Sequence, residues 1–162
     1  MSVMTVQLAG RLARRGDVAL GDRCAVDRTF QVVGNRTAML LLREAFYGAT
    51  RFEQLVKRVG VTEAVASQRL KELVAAGVLA KQPYREPGQR TRFEYVLTPA
   101  GHELVPVLLG LLQWGVRHLP DPTGQVAVTH DGCGAEVRAA LRCADGHDVE
   151  EDEVVIRGDV AR

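Results

Sequence analysis

The chain has 162 residues, 46% hydrophobic, 25% charged and 5% aromatic, with a formal net charge of +1; that suits one globular domain with accessories and excludes two full-sized domains. The near-neutral total hides a division: residues 51–92 carry nine basic against four acidic side chains, a net +5, and residues 121–162 carry four against ten, a net −6. A basic middle and an acidic tail exclude a uniformly acidic surface and suit a polyanion contacted by the middle alone.

Residues 1–22 carry Arg11, Arg14 and Arg15 among small residues, and "VQLAGRLARRG" reads as a short basic helix or a solvated arm. From Cys24 the spacing turns helical, with Ala25, Val26, Phe30 and Val33 on one face and Gly34 ending the run. Asn35 then caps "RTAMLLLREAFY", whose Ala38, Leu41, Leu42, Ala45 and Phe46 form a wide apolar stripe. Thr50 with Glu53 three residues on has the spacing of a capping box for "RFEQLVKRV", anchored by Phe52, Leu55, Val56 and Val59.

Only Gly60 and Val61 separate that helix from Thr62, the expected cap of "EAVASQRLKELV". Two helices joined by so tight a glycine-containing turn have the helix-turn-helix pattern. With Val65, Ala66, Leu70, Leu73 and Val74 inward, Glu63, Ala64, Ser67, Gln68 and Lys71 point away. Small residues there let the backbone approach a major groove, Gln68 can pair bidentately with adenine, and Lys71 can reach phosphate or guanine.

After Gly77 the period shortens: "VLAKQPY" and "RFEYVLT" read as strands bracketing the turn residues Pro87 and Gly88. A hairpin in this position is a wing, and it carries Arg85, Arg90 and Arg92; with Arg51, Thr62 and Arg69 these complete the candidate DNA-contacting set. Thr98 and Pro99 then begin one long helix, apolar nearly all round from Leu104 to Leu119. One of its faces can cover the domain and the other needs a second chain, which predicts a homodimer joined through the N- and C-terminal helices.

Beyond Pro120 and Pro122 the composition shifts again, and "QVAVTHDGCG" and "EVVIRG" predict strands in a small acidic extension. His130-x2-Cys133 and Cys143-x3-His147 have ribbon-like ligand spacing, but Gly146 stands where a paired knuckle would carry its second ligand, so a metal-free ribbon remnant is expected. The expected division is an arm (1–22), a mainly α domain with a β-hairpin wing (23–119) and a β-containing extension (120–162).

"CAVDRTFQVVGNRTAMLLLREAFYGATRFEQLVKRVGVTEAVASQRLKELVAAGVL", followed by "EYVLTPAG" and "LLGLLQWG", resembles the HxlR family of bacterial winged-helix transcriptional regulators, from about Cys24 to His118. The resemblance implies a homodimer placing paired recognition helices on a pseudo-palindromic double-stranded operator. Thr37, Val65 and Gln68 depart from residues common in the family, so base preference does not carry over. Several members sense oxidants through a cysteine just before the first helix, the position of Cys24; a packed, inert thiol is the plainer reading. A small-molecule effector is left open.

Three widely spread cysteines and no signal-peptide pattern fit a reducing cytoplasm. The most apolar segment, Leu104 to Val116, is broken by Pro106 and Gln113 and is well short of the ~20 residues a membrane span needs. There is no phosphate loop and no GxSxG nucleophile, and "HELVP" lacks the second histidine of a zinc-protease helix, so neither an enzyme nor a cofactor is expected. The competing reading is a winged-helix interaction module without specific DNA binding.

Overall fold

The computed structural model describes residues 5–17, 19–120 and 126–158. Its elements are β1 (Gln7–Ala9), a 3-10 turn (Gly21–Arg23), α1 (Ala25–Val33), α2 (Arg36–Phe46), α3 (Phe52–Val59), α4 (Glu63–Ala75), β2 (Leu79–Tyr84), β3 (Arg92–Leu97), α5 (Pro99–His102), α6 (Val105–His118), a second 3-10 turn (Glu151–Glu153) and β4 (Val155–Arg157). They fall into two compact units, Gly21–Val126 and a smaller one made of Met1–Leu20 with Ala127–Arg162.

The larger unit is mainly helical with a β-hairpin wing, as its periodicities predict. Its core joins Leu41 and Leu42 of α2, Leu55 of α3, Leu70 and Leu73 of α4 and Leu79 of β2, all fully buried. Asn35 caps α2 by accepting from the backbone N–H groups of Thr37 and Ala38. β2 and β3 pair antiparallel from Leu79 opposite Leu97 to Tyr84 opposite Arg92.

Three local expectations are corrected. Helix α3 is capped at Arg51, not Thr50, because residues 50 and 51 are drawn onto the hairpin: the Tyr95 N–H donates to the Thr50 carbonyl at 2.8 Å and Arg51 bridges Glu94. Gln54 accepts from the Arg51 N–H, so the helix-closing side chain is Gln54 and not Glu53. The long helix after Thr98 is two helices, α5 and α6, since Pro106 has no N–H to offer the preceding turn. Gly101 of α5 lies so close to the residue before β2 that a Cβ there would stand 2.3 Å from the Val78 carbonyl oxygen. Helix α1 buries Val33 in the core and leaves Val26 and Phe30 of the same stripe exposed.

In the smaller unit a strand stands where the sequence reads as a short basic helix or a solvated arm. β1 pairs in parallel with β4, Gln7 opposite Val155 through Ala9 opposite Arg157. The Gln7 side chain donates to the Asp152 carbonyl and the Arg11 guanidinium to that of Gly158, fastening the two ends of the chain further. The arm and the acidic extension, separate in the sequence reading, are thus one unit. Within "QVAVTHDGCG" the order is a tight hairpin closed by a Thr129–Glu136 bridge, not an extended strand, and a second hairpin is closed by Arg142 and Asp148. Pro122, where the composition shifts, lies outside the described residues.

Candidate nucleic-acid interface

The turn between α3 and α4 depends on Gly60, which takes φ +71°, a left-handed conformation open to glycine at no steric cost, while its N–H closes α3 on the Val56 carbonyl. The Thr62 hydroxyl accepts from the Val65 N–H at 3.4 Å, capping α4. Ala66, Leu70 and Leu73 hold α4 to the core. That rotation exposes Glu63, Ala64, Gln68 and Lys71, with Ser67 half-buried at the margin. Val65, expected inward, is 43% exposed and joins the outward face; the buried stripe is narrower than an a/d/e pattern, so its flank faces solvent.

The outward polar side chains differ in freedom. Lys71 has no ion-pair or hydrogen-bond partner among the described residues. The Gln68 amide donates to Glu72 Oε1 at 2.8 Å, and Arg69 binds Glu72 Oε2 at 2.6 Å. These contacts, the Gln68 hydrogen bond first and Arg69 second, hold the Glu72 carboxyl below its ordinary range.

The wing carries its cations on a different footing. Arg51 places its guanidinium 3.7 Å from the centre of the Tyr84 ring and 2.8 Å from Glu86, and the Glu86 carboxylate, then Tyr84, holds it more firmly protonated than usual. The Arg85 Nε donates to the Gln89 carbonyl across the hairpin turn. Arg92 stands 3.8 Å from Glu53 of α3, and Arg90 is exposed beside it. Together with Phe52, Tyr84 and Phe93 these two arginines line a cleft of about 420 Å³ toward the turn end of the hairpin. Of the arginines that sequence spacing picked out, Arg51, Arg69 and Arg92 face carboxylates. Glu86, Glu53 and Glu72 were not anticipated as partners: Glu86 and Glu53 lie over thirty residues from the cations they meet, and only Glu72 shares a helix with its own.

A tight turn, a half-exposed helix and a basic hairpin in this order match residues 32–122 to the family model for the HxlR-like helix-turn-helix. The chain belongs to that family. The HTH-type transcriptional regulator Rv3095 of Mycobacterium tuberculosis is 38% identical to this HxlR-like chain over 120 residues, 74% of this chain and 75% of the relative. YdeP of Bacillus subtilis, of the same type, is 29% identical over 96 residues, 59% of this chain and 73% of its own length. Among solved structures, PA1607, classed as a transcription factor, superposes with a TM-score of 0.73 at 30% identity over 86% of this chain and 98% of its own. The reduced redox regulator HypR does so with a TM-score of 0.51 at 27% identity, over 57% of this chain and 90% of its own. The HxlR-like protein is a transcriptional regulator of the helix-turn-helix type, a winged-helix fold, and not an enzyme.

The remaining candidate residues of the HxlR-like chain lie elsewhere. Cys24 is a half-buried free thiol at the N-cap of α1. His130 Nδ1 lies 3.2 Å from Cys133 Sγ in the first hairpin turn of the smaller unit. The second turn is closed by the Cys143 N–H donating to the His147 carbonyl, and Gly146 contributes no side chain to it. Among the described residues no group of three or more His, Cys, Asp or Glu side chains stands close enough to hold a metal ion, and no helix is long and apolar enough to cross a membrane.

Proposed function

We propose that the protein is a homodimer that binds a pseudo-palindromic operator in the cytoplasm, each protomer laying α4 in a major groove. The single observation that carries this reading is the outward face of α4, where Ala64, Gln68 and Lys71 stand clear while Ala66, Leu70 and Leu73 anchor the helix. In it Ser67 and Gln68 meet base edges, Val65 offers an apolar contact to a thymine methyl, and Lys71 meets phosphate. Arg51, Arg85, Arg90 and Arg92 hold the backbone beside the wing, Arg51 already braced by Tyr84 and Glu86 for that contact. Thr62, Glu63 and Ala64 bring the α4 N-terminus close to the groove, and Arg69 acts behind them.

The dimer reading is supported by apolar side chains that the protomer leaves uncovered: Val26 and Phe30 of α1 are 61% and 64% exposed, and Leu111 and Trp114 of α6 are 55% and 57% exposed. Single exposed apolar residues are ordinary, whereas rows of them on two helices need a cover. Response to a signal fits the same end of the domain. A cleft of about 370 Å³ lined by Arg28, Thr29 and Val32 of α1 with Ala100 and Leu104 suits a small effector, and Cys24, next to Ala25 in that lining, suits oxidation, the signal read by the neighbour HypR.

Selection of fragments from a random duplex pool by the full-length protein, with mass measured by light scattering, tests the proposal. An inverted repeat bound by a dimer supports it. Equal, weak binding to every fragment favours the interaction-module reading and overturns this one.

A further inference from the structure

Which base does Gln68 read? An unrestrained glutamine can turn its amide either way, presenting a donor beside an acceptor or its two amide hydrogens together. We propose that Glu72 decides this by fixing the Gln68 amide, which makes Glu72 a specificity-determining positioning residue for adenine over guanine. The inference rests on α4 being the recognition helix.

The argument is one of donor and acceptor chemistry. An ionised carboxylate has only acceptors, so at 2.8 Å the group that Gln68 presents to Glu72 Oε1 is its NH2 and cannot be its carbonyl oxygen. One amide hydrogen is used in that bond. What remains for the groove is one N–H and the carbonyl oxygen. Adenine offers N7 as acceptor and N6–H as donor, which this pair matches; guanine offers two acceptors, N7 and O6, and would meet the Gln68 oxygen with an oxygen.

Arg69 makes the lock stiffer. Its guanidinium takes Glu72 Oε2 at 2.6 Å, so each carboxylate oxygen has its own partner and Oε1 is left to face Gln68. Glu72 is ionised at neutral pH, as any solvent-facing glutamate is, and its contacts extend that acceptor state further into acid. The three side chains sit within a turn and a half of helix at i, i+1 and i+4, so no movement elsewhere in the protein is needed to form or keep the arrangement.

The test uses the full-length protein and its selected operator, with every half-site position changed in turn and affinities measured by competition for the wild type, Q68A, E72Q and E72A. The position whose preference Q68A abolishes identifies the base facing Gln68. There the wild type should favour adenine over guanine by about tenfold, within the range expected of one bidentate pair, and E72Q and E72A should each cut that ratio to about threefold or less. E72Q is the sharper variant: its shape is that of glutamate, but its amide can donate as well as accept and so no longer dictates the Gln68 orientation. The Glu72 side chain is 42% exposed, and a thermal melt confirms that both variants fold. A Q68A protein that keeps every base preference overturns the recognition-helix reading and this inference with it. If Q68A loses the preference while E72Q and E72A hold the wild-type ratio, the recognition helix stands and the role of Glu72 is overturned.

Discussion

Replacing Lys71 with alanine should flatten the salt dependence of DNA binding by a calculable amount. Lys71 is exposed on the outer face of α4, with neither an ion pair nor a hydrogen bond among the described residues, so its charge is available to phosphate without first breaking a bond. Each phosphate neutralised on B-DNA contributes about 0.9 to the slope of log affinity against log salt, and a dimer carries two such lysines, so the slope should fall by about 1.8. From 50 to 200 mM salt the wild type should then lose roughly twelvefold more affinity than K71A. Anisotropy titrations at five salt concentrations, on the operator and on a scrambled duplex of equal length, read both slopes. The two duplexes should shift alike, because phosphates carry no sequence information. A fall of about 0.9 would mean that one protomer alone engages DNA. An unchanged slope on both duplexes would refute the placing of Lys71 against the backbone, and with it the depth at which α4 is seated.

Trp114→Glu should convert the dimer to a monomer and weaken operator binding, since it sets a charge in the middle of an exposed apolar row; light scattering that still reports a dimer would refute the use of that face. Glu44, with its side chain only 8% exposed, meets Arg43 at 2.6 Å and Arg58 of α3 at 3.8 Å. Because both arginines are partly in solvent, Glu44→Ala should cost about 1–2 kcal/mol rather than the full value of a buried pair, lowering Tm by roughly 4–16 °C; an unchanged melt would show that the contact does not tie α2 to α3. Glu72 has its folded pKa depressed, so what its lock contributes is complete above the ordinary carboxylate range and is lost only as pH falls through the lower, folded value. The Gln68 side-chain amide protons, followed by NMR against pH, should therefore hold their shifts through mild acid and move together with the Glu72 carboxyl carbon. Movement at the ordinary glutamate range would contradict the lock.

How much of this was legible in the sequence depended on the range of the interaction that decides each feature. Spacing located α2, α3, α4 and the hairpin because the burial of Leu41, Leu55, Leu70 and Leu73 follows from local period alone. The same spacing placed Val65 inside, since a periodicity gives the centre of an apolar face and not its edges. It put the cap of α3 at Thr50 because the pull of Tyr95 on that carbonyl comes from a strand more than forty residues away. The candidate cations were found by counting charges, but their carboxylate partners were not: Arg51 to Glu86 and Arg92 to Glu53 each span over thirty residues, and only Glu72, within its own helix, was within reach of a local argument. Least legible of all was the strand at Gln7–Ala9, three residues whose partner lies near the other end of the chain.

That last pairing has a practical consequence for handling the protein. Since Gln7–Ala9 is hydrogen-bonded to Val155–Arg157, the winged-helix unit is, in topological terms, a large insertion between two halves of a small one. Cutting away the acidic extension to obtain a minimal DNA-binding fragment would leave the N-terminal strand with an open edge of unpaired amides, an invitation to join another chain. A fragment beginning at Gly21 and ending at Val126 removes both halves together and avoids that exposed edge.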